Sequence, residues 1–218
     1  MNRGKIVTTV DLGFSIAGTA VARDHGYALY GALSRAVPGL HGAPWLGVHP
    51  LAGTPADKNT LALRKHARMF LRLPAERIPD VLPLAGRTID IAGSQLAIGA
   101  PTVNALVPAS SLDARLVVIK LTGAPHRDNA ELGRTALDAA AFAERYIAEL
   151  KRQLVALGIA SPPELRGRQS MSVSGKRIVG YSVRVSGLDA DQSLALQISG
   201  LGGKRRMGCG IFRPTRGT

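Results

Sequence analysis

The chain predicts an α+β fold, on three observations. Its second half reads, segment by segment, as β-α-β-β-α-β, the ferredoxin-like order in which an antiparallel sheet carries both helices on one face. Its first half repeats that reading less regularly. Between them residues 99–113 are rich in Pro, Ser and Asn, which marks a boundary. A single mixed α+β domain is the alternative architecture, and no close internal sequence repeat is visible.

Each element has its own signal. Residues 6–14 alternate loosely and are rich in Val and Thr, as a strand does. Asp24 is placed to cap a helix over residues 25–36, with Leu29, Ala32, Leu33 and Ala36 inward and Pro38-Gly39 ending it. Strands are expected at 45–51, 60–63 and 69–73, and a short helix or turn at 78–84. Residues 88–91 and 95–98 form a hairpin around Ala92-Gly93-Ser94. Residues 115–121 are an apolar strand. The longest helix covers residues 129–157, with Ala143, Ile147, Leu150, Leu154 and Leu157 as one apolar stripe and Gly158 as its stop. Residues 169–173 and 177–185 form a hairpin through Ser174-Gly175-Lys176. Asp189 caps a helix over 190–199, and residues 209–212 are the last strand.

Composition narrows the partner. Twenty-eight Lys and Arg face fifteen Asp and Glu, a formal net charge of +13 over 218 residues. The cations cluster near 64–72, 166–168 and 204–216. Such a balance points to a polyanion, nucleic acid first and an acidic membrane surface second. Aromatics are 4% of the chain, so base stacking is confined to a few sites. The one cysteine, Cys209, excludes an internal disulfide framework and a Cys-rich zinc site, and fits a reducing cytoplasm. Asp11 interrupts the apolar start, so no signal peptide is read, and no window has the roughly 18 apolar residues of a membrane span.

The segment Gly200-Leu201-Gly202-Gly203-Lys204-Arg205-Arg206-Met207-Gly208-Cys209-Gly210-Ile211-Phe212 is the most informative. Glycines let a backbone pass close to a bulky anion, and three consecutive cations supply the attraction. It is not a phosphate-binding P-loop, because Lys204 is followed by Arg205 instead of Ser or Thr. No G-x-G-x-x-G opens a helix after a strand. A solvated basic turn is the plain alternative.

The other candidate is Asp24-His25-Gly26-Tyr27-Ala28-Leu29-Tyr30. A histidine in a first helical turn is held neutral by the helix dipole and is able to take a proton from a hydroxyl, with Tyr27 or Tyr30 orienting the ring or a phosphate. The alternative is a helix-end histidine beside core tyrosines. His41 and His49 have no acidic or cysteine ligands at metal spacing, so no metal site is expected. No paired carboxylates and no nucleophile elbow are present, and no cofactor is expected.

These segments resemble the CRISPR-associated endoribonucleases that process precursor CRISPR RNA, within the repeat-associated RNA-binding superfamily and in particular its MYXAN-subtype branch. The likeness is carried by residues 24–30, by Leu196 to Gly203, and by Lys204 to Phe212. It implies two tandem ferredoxin-like (RRM-like) domains, residues 1–108 and residues 109–218, the second carrying the Gly-rich loop. It implies metal-independent cleavage in which the 2′-hydroxyl upstream of the cut attacks the adjacent phosphate, leaving a 2′,3′-cyclic phosphate and a 5′-hydroxyl. His25 matches the position of the family's catalytic histidine, and Tyr27 and Tyr30 are its expected helpers. No lysine adjoins His25, and Arg23 is the nearest cation. The expected RNA contacts are Lys204, Arg205 and Arg206 with Gly202 and Gly203, then Arg64, Lys65 and Arg68. The implied partners are precursor and mature CRISPR repeat RNA and the other subunits of an effector complex, with no membrane. A noncatalytic RNA-binding subunit of the same superfamily and an unrelated basic module, such as one contacting ribosomal RNA, are the competing readings.

Overall fold

The computed structural model describes residues 8–121 and 136–215. Two compact units result, Met1–Leu106 and Val107–Thr218.

In the first unit β1 (Thr9–Ala17) and β2 (Ala20–Ala22) lead into α1 (Gly26–Ala36). There follow β3 (Gly47–Val48), β4 (Gly53–Pro55), β5 (Thr60–Leu63), β6 (Arg68–Pro74), the one-turn α2 (Ile78–Val81), β7 (Thr88–Ile91) and β8 (Ser94–Ala105). The main sheet runs β3-β6-β1-β8-β7, all antiparallel, and β2-β5-β4 make a smaller sheet. Without β7, the main-sheet order is the ferredoxin-like one. Period-two alternation on β1 turns Leu12, Phe14 and Ile16 inward, where Leu29, Ala32 and Leu33 of α1 cover them in one core cluster. Each of these Leu, Ile and Phe side chains contributes about 1.5–3 kcal/mol on burial.

In the second unit β9 (Ser111–Val117), α3 (Ala136–Val155), β10 (Pro163–Val173), β11 (Lys176–Ser186), α4 (Ala190–Ser199) and β12 (Arg213–Pro214) follow the expected β-α-β-β-α-β order. The sheet order is β10-β11-β9-β12, with every pair antiparallel. Asp189 caps α4 with a full capping box: its carboxylate accepts from the Gln192 N–H while the Gln192 side chain accepts from the Asp189 N–H. Ser174 and Gly175 both take positive φ, as a two-residue hairpin between right-twisted strands requires.

Several expectations are corrected. Within the segment 99–113, read as a boundary, residues 99–105 extend β8 and residues 111–113 open β9. Pro101 is tolerated because it sits opposite Phe14 at the end of the regular β1–β8 register, where a shift separates Phe14 from Ile16. Residues 209–212 are a buried loop, and the last strand is Arg213–Pro214. The strand expected over 45–51 is only two residues long. The N-cap of α1 is His25, not Asp24. On α3 the expected Leu150 and Leu154 are buried, but Phe142 and Tyr146 take the places expected of Ala143 and Ile147, because two aromatic rings bury more apolar surface. The expected start of that helix, residues 129–135, lies outside the described residues. No described helix is long and apolar enough to cross a membrane.

Candidate functional site

The Gly-rich segment begins where α4 ends. Gly202 and Gly210 both have positive φ, and a Cβ on either would run into a carbonyl, that of Val118 for Gly202 and that of Leu201 for Gly210. Only glycine fits so close an approach in that conformation. The loop is pinned at three points: Gly203 N–H donates to the Val118 carbonyl at 2.9 Å, Gly210 N–H to that of Leu116 at 2.8 Å, and Gly202 N–H to Oε1 of Gln153 at 2.8 Å. Cys209, Ile211 and Phe212 are buried behind it. These bonds occupy the N–H groups of Gly202 and Gly203. Attraction of an anion therefore falls to side chains, and the open space above Gly203 lets one approach. Lys204 takes the left-handed conformation at φ 63° and starts a 3₁₀ turn over Arg205–Met207, its carbonyl accepting from Met207 N–H at 2.9 Å. Lys204, Arg205 and Arg206 are each half-buried, so their cations are placed by the fold and do not hang from a tail.

In the first unit, Arg64 and Lys65 are exposed in the turn before β6, closed by Ala67 N–H to the Arg64 carbonyl at 2.9 Å. Arg68 opens β6, also exposed, and donates to Oγ1 of Thr102 at 3.1 Å. The three cations thus cluster in sequence at the start of β6, each exposed.

His25 is not presented to solvent. It is 2% exposed, and both ring nitrogens hold backbone: Nδ1 lies 2.8 Å from the Ala22 carbonyl and Nε2 2.9 Å from the Leu51 N–H. A carbonyl only accepts and an N–H only donates, so these partners require the neutral tautomer with its proton on Nδ1. In this arrangement the ring ties the start of α1 to the chain at Leu51, and neither nitrogen is open to a ribose hydroxyl while its backbone bond holds. Tyr27 is 40% exposed on the same turn.

Tyr30 is buried and faces a different histidine. After α1, the Pro38–Leu40 turn is anchored by fully buried Leu40, and it delivers His41 to the surface. The rings of Tyr30 and His41 are stacked, 6.2 Å between centroids and 15° between planes. The Tyr30 hydroxyl oxygen accepts the Gly42 N–H at 2.8 Å, and Gly42 has φ +75°. One tyrosine therefore braces both the ring and the following backbone of an exposed imidazole. His41 carries no local sequence signal beyond Leu40-His41-Gly42 after a helix stop, and its exposure depends on packing distant in sequence.

A second group also went unread. Asp11 on β1 accepts from Nε and Nη2 of Arg72 on β6, both at 2.8 Å, and lies 3.0 Å from Nε2 of His49. The register places Asp11 directly opposite Arg72. Arg72 is 1% exposed and His49 2%. Burial pushes the Asp11 carboxyl up, but the Arg72 bonds and then the His49 bond outweigh it and hold the group well below the usual carboxylate range. Opposite charges inside two apolar strands were the available signal. Among the described residues no group of three or more His, Cys, Asp or Glu is arranged to hold a metal ion.

This chain is similar to known proteins along most of its length. The family model described as Cas6 Crispr matches residues 10–217. The CRISPR-associated endonuclease Cas6 of Myxococcus xanthus (strain DK1622) is 38% identical over 211 residues, which cover 97% of this chain and 84% of that protein. Two solved structures share the fold. One is a CRISPR associated protein Cas6, with TM-score 0.60 and 12% identity over 95% of this chain and 100% of that one. The other comes from a Cas6-related gene of Pyrococcus furiosus, with TM-score 0.61 and 12% identity over 94% and 98%.

Proposed function

We propose that this chain, which belongs to the Cas6 family of CRISPR proteins, is an endoribonuclease that binds CRISPR repeat RNA and cuts it to give mature guide RNA. The observation that carries the reading is the likeness, along almost the whole chain, to a protein named as a CRISPR-associated endonuclease. The reaction is RNA transphosphorylation. The 2′-hydroxyl upstream of the cut loses its proton and attacks the adjacent phosphorus. The P–O5′ bond breaks, and the departing oxygen takes up a proton. The products are a 2′,3′-cyclic phosphate and a 5′-hydroxyl. The nucleophile comes with the substrate, so the protein's work is alignment, proton transfer and neutralisation of the phosphorane.

The imidazole we assign to proton transfer is His41, because it is exposed and braced by Tyr30, whereas the His25 nitrogens are engaged by backbone. A positioned histidine supplies about 10²–10⁴-fold by acid–base catalysis. Tyr30 positions that ring, and exposed Tyr27 is a substrate contact. Lys204, Arg205 and Arg206, with Gly202 and Gly203 beneath, bind phosphates, and Arg64, Lys65 and Arg68 are separate phosphate contacts carried by the first unit. The reaction needs no metal and takes place in the cytoplasm, and the cut RNA stays bound for assembly into an effector complex.

The test is single-turnover cleavage of a labelled repeat RNA by the wild type, H25A and H41A. Loss of cleavage in H41A with affinity retained supports the assignment. Loss confined to H25A returns the role to that ring. The second reading, a noncatalytic binding subunit, is favoured by the sealed His25. Wild-type protein that binds the repeat hairpin and leaves it uncut would establish it.

A further inference from the structure

β7 ends the first unit's main sheet, with β8 on one side and, among the described residues, no strand on the other. Its turn to β8 is two residues long: Ala92 and Gly93 both take positive φ, and Ile91 faces Ser94. In such a hairpin the residues flanking the turn exchange both backbone bonds, and bonded and unbonded pairs then alternate. Ile91 and Ile89 therefore bond to β8, and the N–H and C=O groups of Thr88 and Asp90 aim outward. The Asp90 carbonyl accordingly accepts Nη2–H of Arg35, on the last turn of α1, at 3.0 Å. Arg87 reaches the opposite way, from just before β7 to the Ala36 carbonyl, at 2.7 Å. A cavity of about 480 Å³ lies between the two elements, walled by Ala32, Arg35 and Ala36 of α1 and by residues 87–90. Arg35 and Arg87 are both exposed, and Ile89 is buried in the core that also holds Ala32. The carboxylate of the described lining, that of Asp90, is turned back to the hairpin, where it accepts Gly93 N–H at 3.1 Å and Nε2–H of Gln95 at 2.9 Å. Strand alternation puts it on the sheet face opposite Ile89.

We infer that this cleft docks an extended acidic segment of a partner protein, which adds as a strand to the β7 edge while its carboxylates take Arg35 and Arg87. The edge selects a polypeptide. It presents N–H donors and C=O acceptors together, and another peptide backbone supplies both at strand spacing, whereas the phosphates of a nucleic acid only accept. The charge selects an acidic one. A guanidinium carries five N–H donors in a planar fork, more than one carbonyl bond uses, and that fork matches a carboxylate. A second copy of this chain is a poor occupant, since 28 Lys and Arg against 15 Asp and Glu would bring cations to cations. Arg35 covers the Asp90 carbonyl, a charged side chain protecting an exposed edge. A carboxylate of the incoming segment draws Arg35 away and uncovers that carbonyl for a peptide N–H. β7 spans only Thr88–Ile91, about 13 Å at roughly 3.3 Å per residue, so the ladder is short and the charge pairs add to it. The groove uses none of the residues assigned to RNA above.

The experiment measures, by fluorescence anisotropy, binding of a short fluorescein-labelled peptide of alternating Glu and Val to the wild type, R35A/R87A and T88P, each checked for a cooperative melting transition. Thr88 N–H aims away from β8, so T88P spares the β7–β8 bonds and removes a donor from the edge. Two further peptides are titrated against the wild type: one N-methylated throughout, which keeps the carboxylates and loses the backbone donors, and one with Lys in place of Glu. Cleavage of repeat RNA is read in parallel. The acidic peptide is expected to bind the wild type and the Lys peptide is not. R35A/R87A, T88P and N-methylation are each expected to weaken binding about tenfold or more, with RNA cleavage unchanged. If the acidic peptide does not bind the wild type, or binds R35A/R87A as tightly, the cleft is not an acidic docking groove and the RNA-processing reading stands. If T88P and N-methylation leave binding unchanged, charge alone holds the peptide and strand addition is wrong. If R35A/R87A weakens binding of the repeat RNA instead, the two arginines belong to the RNA interface and the protein-docking assignment falls. Failure of the wild type to cut RNA would overturn the earlier reading and leave the peptide result to decide the groove.

Discussion

Tyr30 lies parallel to His41, with 6.2 Å between ring centroids and 15° between ring planes, and its hydroxyl takes the N–H of the next residue, Gly42, at 2.8 Å. A buried ring on α1 thereby fixes an exposed imidazole eleven residues along the chain. The first expected outcome concerns this pair. H41A should lose about 10²–10⁴-fold in single-turnover cleavage of repeat RNA, with the dissociation constant changed by no more than about threefold. Y30F keeps the stacking face and removes the acceptor for Gly42. It should slow cleavage about ten- to a hundredfold through misplacement, again without loss of affinity.

His25 should behave differently. In H25A the Leu51 N–H loses its partner in a buried setting, which costs about 1–3 kcal/mol of stability. Chemical denaturation should show that loss, and cleavage per folded molecule should remain close to wild type. A stable H25A protein without cleavage would reverse the two histidines' roles.

The loop cations make a quantitative case. K204A/R205A/R206A removes three charges from a loop whose backbone is pinned at Val118, Leu116 and Gln153. The slope of log affinity against log salt should fall by about 2.1–2.7, three contacts at about 0.7–0.9 each. An unchanged slope would remove the loop from the interface.

The Asp11–Arg72 pair sets a stability prediction with a direction in pH. Breaking a buried pair from one side costs about 3–5 kcal/mol, so D11A and R72A should each show a large drop in denaturation midpoint. Because the folded carboxyl is held below its unfolded range, the pair's contribution is present above the unfolded value of about 3.9 and is lost as pH falls through the lower folded one. Wild-type stability should decline below about pH 4, and R72A should show a shallower decline over that window.

How much of this was legible depends on whether the determinant is local. The β-α-β-β-α-β order of the second unit was readable because helix and strand periods differ and because Ser174-Gly175 and Asp189 are local turn and cap signals. Residues 99–105 carry Gly, Pro and Asn and look like a loop. Pairing with β1, from Phe14 opposite Pro101 to Val10 opposite Ala105, makes them strand. The three-residue strands β2 and β4 exist only because β5 lies between them. Residues 209–212 have the composition of a strand, yet their place is set by the bond of Gly210 to Leu116. In the candidate site, the Gly-rich loop announces itself by composition. The contrast between His25 and His41 does not, since burial of one and exposure of the other follow from Leu51, Ala22 and Tyr30, all fixed by tertiary packing.

The most direct test of the central claim is cleavage, in EDTA, of two repeat RNAs that differ only by a 2′-deoxyribose at the nucleotide upstream of the cut. The account predicts that the all-ribose RNA is cut to a 2′,3′-cyclic phosphate and a 5′-hydroxyl and that the deoxy-substituted RNA binds equally and stays intact. Equal cutting of both, or cutting that stops in EDTA, would contradict it.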